Sequence, residues 1–362
     1  MSKKVSKIVI TGGPCAGKTT GMSKIENAFT KRGYKVVFVP EVSTDLINSG
    51  VQPWSFTRDE FQIAVAKYQL VKEKLYEDTV KNSNFEKVLL VCDRGFIDIK
   101  AFTRPELYKE IIKETGLSEI ELRDSYDAVF HMLTAAKGAE EFYTLENNAA
   151  RTETAEQARQ ADDILIQAWA GHPHFRIIDN STGFEEKMNR LISEIALSLG
   201  EPKPFEAKKK YLIEYPDLSL LEKLENVERV ELDQTYLKAD NNEKIQIRKR
   251  GLGDDCIYYQ TRVRIQNGQL LQVEKRLTKA EYEEKLTQAD PTRKQLHRTR
   301  YCIIDNNQYM EIDIYPFWND KAILNIDVLD VNSNVYIPDY VKVVEDITNN
   351  PQYFNSELSK LS

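Results

Sequence analysis

Two architectures in series are predicted for this 362-residue chain. An α/β domain with a parallel sheet comes first, and a mainly antiparallel β-barrel domain with some helix follows. Three observations predict this. Short β-branched runs alternate with helix-length stretches through residue 200, the pattern of a parallel sheet covered on both faces. A break follows at Gly200 to Pro204, where two prolines beside a glycine stop a helix and stiffen a linker. Beyond it, polar and apolar residues alternate every second position, as in half-buried strands. The expected division is a first domain over 1–200, a linker over 201–207 and a second domain over 208–362.

In order along the chain, residues 7–11 read as a buried strand and 18–32 as a helix. Residues 35–39 form a second strand. A long helix is expected over 57–81, with Phe61, Val65, Tyr68, Val71 and Leu75 at helical spacing as its buried face. Residues 88–92 are a third strand, followed by helical pieces over 106–114 and 118–123. Residues 128–133 are a fourth strand, 154–170 a helix, 175–178 a fifth strand and 184–199 a closing helix. After the break, strands are expected over 245–250, 258–265, 270–277, 297–305, 308–315 and 324–329, with one helix over 279–286. Asn267-Gly268 and Asp305 to Asn307 are expected hairpin turns.

Composition narrows the function classes. Hydrophobic residues make up 41% and charged residues 30%, ordinary for a globular protein. The formal charge is −7, and both halves are net negative, which argues against bulk nucleic-acid binding. No apolar run reaches the roughly 20 residues of a membrane span, and the N-terminus lacks the apolar core of a signal peptide. Cys15, Cys92, Cys256 and Cys302 are widely spaced, which suggests free thiols and a cytoplasmic setting.

The strongest motif runs from Gly12 to Thr19, G-x-x-x-x-G-K-S/T in full, between a predicted strand and a predicted helix. Gly12, Gly13, Pro14, Cys15, Ala16, Gly17, Lys18, Thr19 and Thr20 form the expected phosphate cradle of an ATP- or GTP-binding P-loop. Loop amides surround phosphate oxygens, Lys18 reaches the outer phosphates and the Thr19 hydroxyl ligates Mg²⁺. Glu41, Asp93, Arg94 and Asp98 stand at or just after strand ends, where open α/β sheets bind ligands. A carboxylate there holds the metal or takes a proton from an attacking hydroxyl. The bland readings are a helix cap for Glu41 and a local ion pair for Asp93 and Arg94. Arg151, in a polar stretch over 139–154, and Arg159 are expected phosphate contacts on a lid. His172 and His174 have no further ligand nearby and read as structural.

In the second half, Arg248 and Arg250, Arg262 and Arg264, and Arg298 and Arg300 stand two apart, so each pair shares one face of its strand. Glu311, Asp313 and Asp327 supply acidic partners. Each pair either faces solvent or lines a polar lumen. Converging guanidinium groups bind a polyphosphate, and carboxylates bring a divalent ion, Mg²⁺ or Mn²⁺.

The run from Val9 to Thr20, Glu41, the VCDRG segment ending at Gly95, and residues 147–181 resemble the nicotinamide-riboside-kinase-like AAA group of P-loop NTPases. That group also supplies the first half of insect translocation-defect proteins, which bind GTP and phosphoinositides. The resemblance implies a base or metal-ligand role for Glu41 or Asp93 and a substrate contact for Arg94. The second half resembles the CYTH family of triphosphate-tunnel proteins. The match rests on residues 234–237, Arg248 to Arg250, Arg298 to Tyr301, residues 310–314, 344–348 and 353–355. That family opens with E-x-E-x-K, which here reads Glu206-Ala-Lys208-Lys-Lys210, so Lys210 is kept and one carboxylate is lost. A later E-x-E, Asp327-Val-Leu329, is half lost too. Binding of a triphosphate or phosphoinositide headgroup is therefore a safer expectation than hydrolysis. Three functions follow: a small-molecule kinase or NTPase, a nucleotide-controlled sensor, and a triphosphatase run by the second domain alone.

Overall fold

A computed structural model describes residues 4–143, 154–200, 207–224, 227–239, 243–253, 255–266, 269–306, 308–328 and 334–361. The chain divides into two compact units, Met1–Ser198 and Leu199–Ser362. Among the described residues no helix is long and apolar enough to cross a membrane. The four cysteines form no disulfide bonds among the described residues.

The first unit runs β1 (Lys4–Thr11), α1 (Lys18–Thr30), β2 (Lys35–Val39), α2 (Val42–Asn48), α3 (Arg58–Lys81), β3 (Lys87–Asp93), α4 (Pro105–Thr115), α5 (Glu119–Arg123), β4 (Ala128–Met132), α6 (Ala155–Ala168), β5 (Phe175–Ile178) and α7 (Phe184–Ser198). The strands form one parallel sheet in the order β2-β3-β1-β4-β5. Its centre is dry: Ile8, Val9, Ile10 and Val88 to Cys92 are fully buried. Capping boxes start α3 at Thr57 with Glu60 and α6 at Thr154 with Gln157, satisfying the first free amides of each helix.

The buried face of α3 differs from the expected one. Phe61 and Val65 are buried, but Tyr68, Val71 and Leu75 are exposed. In their place the helix buries Gln69, Lys72 and Glu73. Glu73 accepts hydrogen bonds from Gln69 Nε2 (2.6 Å) and Tyr126 Oη (2.7 Å), with Lys7 Nζ 3.5 Å away. Lys72 pairs with Asp45 and donates to the Pro40 carbonyl. Each buried polar group is thus matched.

The second unit runs β6 (Ala207–Glu214), α8 (Leu218–Leu221), β7 (Val227–Leu237), β8 (Glu243–Leu252), β9 (Asp255–Gln266), β10 (Gln269–Leu277), α9 (Lys279–Leu286), β11 (Leu296–Asp305), β12 (Gln308–Ile314), β13 (Lys321–Val328), β14 (Val343–Asp346) and α10 (Asn355–Leu358). These nine strands are antiparallel throughout, in the order β10-β9-β8-β7-β11-β12-β13-β6-β14. The antiparallel domain is as expected. Among the described residues β10 and β14 stand at the two ends of the strand order. At the expected hairpin turns, Asn267, Gly268 and Asn307 lie outside the described residues. The flanking strands do pair, β9 with β10 and β11 with β12.

One face of this sheet carries two apolar clusters. Tyr301, Ile303, Ile312 and Leu324 pack with Leu221 of α8, and Leu237, Ile247 and Leu277 pack with Tyr282 of α9. The opposite face carries Arg248, Arg250, Arg298, Arg300, Glu311 and Asp313.

Candidate functional site

Two glycines of the loop between β1 and α1 take a backbone that residues with side chains rarely adopt. Gly12 has φ +144° and Gly17 φ +88°, and a Cβ on Gly12 would sit 2.1 Å from the Met132 carbonyl oxygen. The loop is pinned from behind. Asp162 of α6 accepts from the Gly13 amide at 2.9 Å. Thr134 Oγ1 donates to the Pro14 carbonyl at 2.5 Å, the Ala135 amide to that of Cys15 at 3.3 Å, and Lys187 Nζ of α7 to that of Ala16 at 3.2 Å. Burial raises the Asp162 carboxyl, but His131 at 2.9 Å and Lys137 at 3.2 Å outweigh it and hold the group at about 2. Burial pushes the Lys187 ammonium down to about 8. None of these anchors was anticipated. They come from residues 120 to 171 positions away from the loop, beyond the reach of a local motif.

Lys18 folds over the loop and donates to the carbonyls of Gly12 (3.0 Å) and Gly13 (3.4 Å). Burial and the Arg94 guanidinium push its ammonium down to about 8, against the pull of Asp93, Glu41 and Asp98. Thr19 and Thr20, at the open end of α1, are exposed. Asp93 ends β3. Burial raises its carboxyl to about 6, with the Glu41 charge adding to the rise. Its Oδ1 is buried with no hydrogen-bond partner.

Arg94 adopts φ +68°, rare for a residue with a side chain, and its Nε donates to Glu41 Oε1 at 2.5 Å. Arg94 Nη1 is likewise buried and unpartnered. Glu41 Oε2 accepts from Thr44 Oγ1 at 2.6 Å. Burial raises the Glu41 carboxyl, but Arg94 and Thr44 win and hold it at about 2.

Asp98 has a different place from the one expected. Its Oδ1 accepts from Thr11 Oγ1 (2.8 Å) and Trp169 Nε1 (2.7 Å), and its Oδ2 from the Gly95 amide (3.0 Å). It is a buried brace behind the bend at Arg94. Arg159 pairs with Glu156 at 2.8 Å and donates to the Ala136 carbonyl. Arg151 lies outside the described residues. His172 Nε2 meets the Tyr126 carbonyl at 3.1 Å, and burial pushes the ring down to about 3, a structural histidine.

In the second unit, opposed residues of paired strands share a face. Arg248 faces Gln234, Arg250 and Arg298 both face Leu232, and Arg300 faces Val230 and Asp313. Arg248, Arg250, Arg298, Arg300, Glu311 and Asp313 therefore share one face. Lys210 joins them through Asn325, which faces both it and Glu311. Arg262 does not. It opposes Ile245, on the other face, with its side chain 53% exposed and 3.7 Å from Glu243. Arg264 is exposed beside it. Period 2 fixes which residues of one strand go together. The register between strands decides which face they take, so two basic pairs converge and not three.

The expected metal carboxylates are already engaged. Arg300 donates two parallel hydrogen bonds to Asp313 (2.7 and 2.8 Å) and stands 2.6 Å from Glu311. Arg298 Nε is 3.4 Å from Asp313. Burial raises the Asp313 carboxyl, but Arg300 and Arg298 outweigh it and hold it at about 2. The side chain of Asp327 lies outside the described residues, as does Glu206. Among the described residues no cluster of three metal-ligating side chains occurs. Asp313, locked to two arginines, does not fit a divalent-ion site, and Glu311, held by Arg300 through Oε1, keeps a buried Oε2 without a hydrogen-bond partner among the described residues. Arg248 pairs with Glu274. Arg250 is buried, with Cys302 Sγ at 3.7 Å. Burial and Lys208 push the Lys210 ammonium down to about 8.

A family model described as an AAA domain matches residues 7–187. Comparison with curated proteins gives no match. Among solved structures, the chain is similar to deoxyadenosine kinase from M. mycoides with bound dATP: 16% identity, 52% of this chain, 98% of that chain, TM-score 0.37. It is also similar to the inorganic triphosphatase NE1496: 18% identity, 44% of this chain, 96% of that chain, TM-score 0.31.

Proposed function

Residues 7–187, half of the chain, belong to the AAA domain family, and from that premise we propose that the first domain binds ATP or GTP with Mg²⁺ and transfers or hydrolyses the γ-phosphoryl group. The observation that carries this is the set of charges around Lys18. Asp93 Oδ1 and Arg94 Nη1 are buried without hydrogen-bond partners among the described residues, beside an ammonium that donates to loop carbonyls. Unmatched buried charge is costly unless a ligand completes it.

The donor set suits Mg²⁺. The Thr19 hydroxyl is exposed at the start of α1 and the unpartnered Asp93 carboxylate oxygen is a hard ligand, so these two would hold the ion. Bound Mg²⁺ would draw off charge from the phosphate oxygens. Lys18 binds the outer phosphates, and Asp93 also takes the acceptor proton where an acceptor is present. Glu41, with both oxygens engaged, positions Arg94 against the phosphoryl group.

The second domain, on this reading, binds a polyphosphorylated small molecule or phosphoinositide headgroup through Lys210, Arg248, Arg250, Arg298 and Arg300. Placing residues 1–200 and 208–362 as the two functional domains, joined by 201–207, is part of the proposal.

Turnover of MgATP and MgGTP tests the first domain. Asp93→Asn lowers it by about 10²-fold, the scale of lost general-base catalysis. Glu41→Gln also lowers it, by loosening Arg94. Full turnover in both variants rejects the carboxylate roles.

A further inference from the structure

We infer that Phe184 is the platform on which the purine base of the bound nucleoside triphosphate stacks, an inference that rests on the nucleotide-binding reading above. The sheet order fixes the direction of the ligand. Asp93 ends β3 and Glu41 follows β2, both on one side of β1. The Lys18 ammonium feels both of these carboxylates. The transferable end of the phosphate chain therefore lies on the β3 side, and the rest of the nucleotide leaves toward β4 and β5.

Phe184 stands on that other side. It is the first residue of α7, and its ring abuts the phosphate loop. A Cβ on Gly17 would lie 2.8 Å from its Cε2 and 3.3 Å from its Cζ. Yet 46% of the residue is exposed. An aromatic ring held against the loop at one edge and open elsewhere offers a π surface where a base emerges.

The polar groups of the same turn are already engaged. Asn180 Nδ2 donates to the carbonyls of Thr134 (2.8 Å) and Lys137 (2.7 Å), and its Oδ1 accepts from Lys187 (2.7 Å). Asp179 is held by Arg190 and Ser181. The Asn180 amide is occupied by the fold, and the Asp179 carboxylate is tied down through Oδ1. Recognition is therefore by stacking, which every base permits and which favours the larger purine surface. ATP and GTP bind alike, and both bind more tightly than UTP.

The test uses the full chain and the part of binding that Lys18→Ala abolishes, so that ligand taken up elsewhere is subtracted. MgATP, MgGTP and MgUTP are titrated against wild type, Phe184→Ala and Phe184→Tyr, with melting followed in parallel. Phe184→Ala is expected to lose about 10- to 100-fold in purine affinity, the range for a base–aromatic stack. It loses less for UTP, and its melting temperature is unchanged. Phe184→Tyr keeps the ring and the affinity. A 2-aminopurine riboside triphosphate, whose emission is quenched by stacking, is quenched by wild type and less so by Phe184→Ala. Equal affinities in wild type and Phe184→Ala, or equal losses for ATP and UTP, overturn the platform and leave nucleotide binding standing. Absence of any Lys18-dependent binding in the wild type overturns both.

Discussion

Lys18 and Arg300 are both cations set among carboxylates, but different partners hold them. Lys18 rests on two backbone carbonyls, and its ammonium is pushed down to about 8. Arg300 has a bidentate bond to Asp313 and a second carboxylate in Glu311, and it is held well above its ordinary value. The first cation gains from an arriving anion, because its protein partners carry no full charge. The second already has its anions, so a phosphate must share or displace them. Within the second domain Lys210 is the counterpart of Lys18, since burial pushes it down in the same way. The strength of ligand binding should follow this difference.

Arg300→Ala gives the largest effect expected in the second domain. It leaves Asp313 and Glu311 buried without their main partner, and breaking such a pair costs about 3–5 kcal/mol. Denaturant unfolding of the second domain measures it. A loss under about 1 kcal/mol would make the pair an ordinary surface bridge.

Arg250→Ala separates ligand binding from stability. In a chain that also carries Lys18→Ala, tripolyphosphate affinity should fall about 10- to 150-fold, the value of one charge-assisted phosphate contact. Unchanged affinity would place the ligand elsewhere.

The smallest effect concerns acid. Asp313 has a folded value of about 2 against an ordinary 3.8. A depressed carboxylate stabilises the fold above its unfolded value, and that contribution is lost as pH falls from about 4 through 2. The loss is about 2 kcal/mol, and Asp313→Asn should remove this part of the acid dependence. An identical acid profile in the variant would contradict the pairing.

What the sequence could and could not show follows from the range of each signal. The loop from Gly12 to Thr19 is legible because its shape depends on its own glycines. Asp93 and Glu41 are legible because strand ends are. Asp162, Lys187 and Phe184 act on the loop from α6 and α7, and nothing local marks them. On α3, Tyr68, Val71 and Leu75 have helical spacing, but so do Gln69, Lys72 and Glu73. Only Asp45, Tyr126 and Lys7, contributed by other elements, show which set goes inside. Arg262 fails for a related reason, because its face is set by opposition to Ile245. Glu311 and Asp313 read as metal ligands in the sequence because carboxylate spacing does not show that an arginine on the neighbouring strand bonds both.

The measurement that bears most directly on the account is a calorimetric titration of the full chain with MgATP, comparing wild type, Lys18→Ala and Arg250→Ala, each checked for folding by its melting curve. Tight binding should vanish in Lys18→Ala and persist in Arg250→Ala if the under-matched cation of the first domain holds the nucleotide. Tight binding that survives Lys18→Ala in a folded protein, or that disappears in Arg250→Ala, would contradict it.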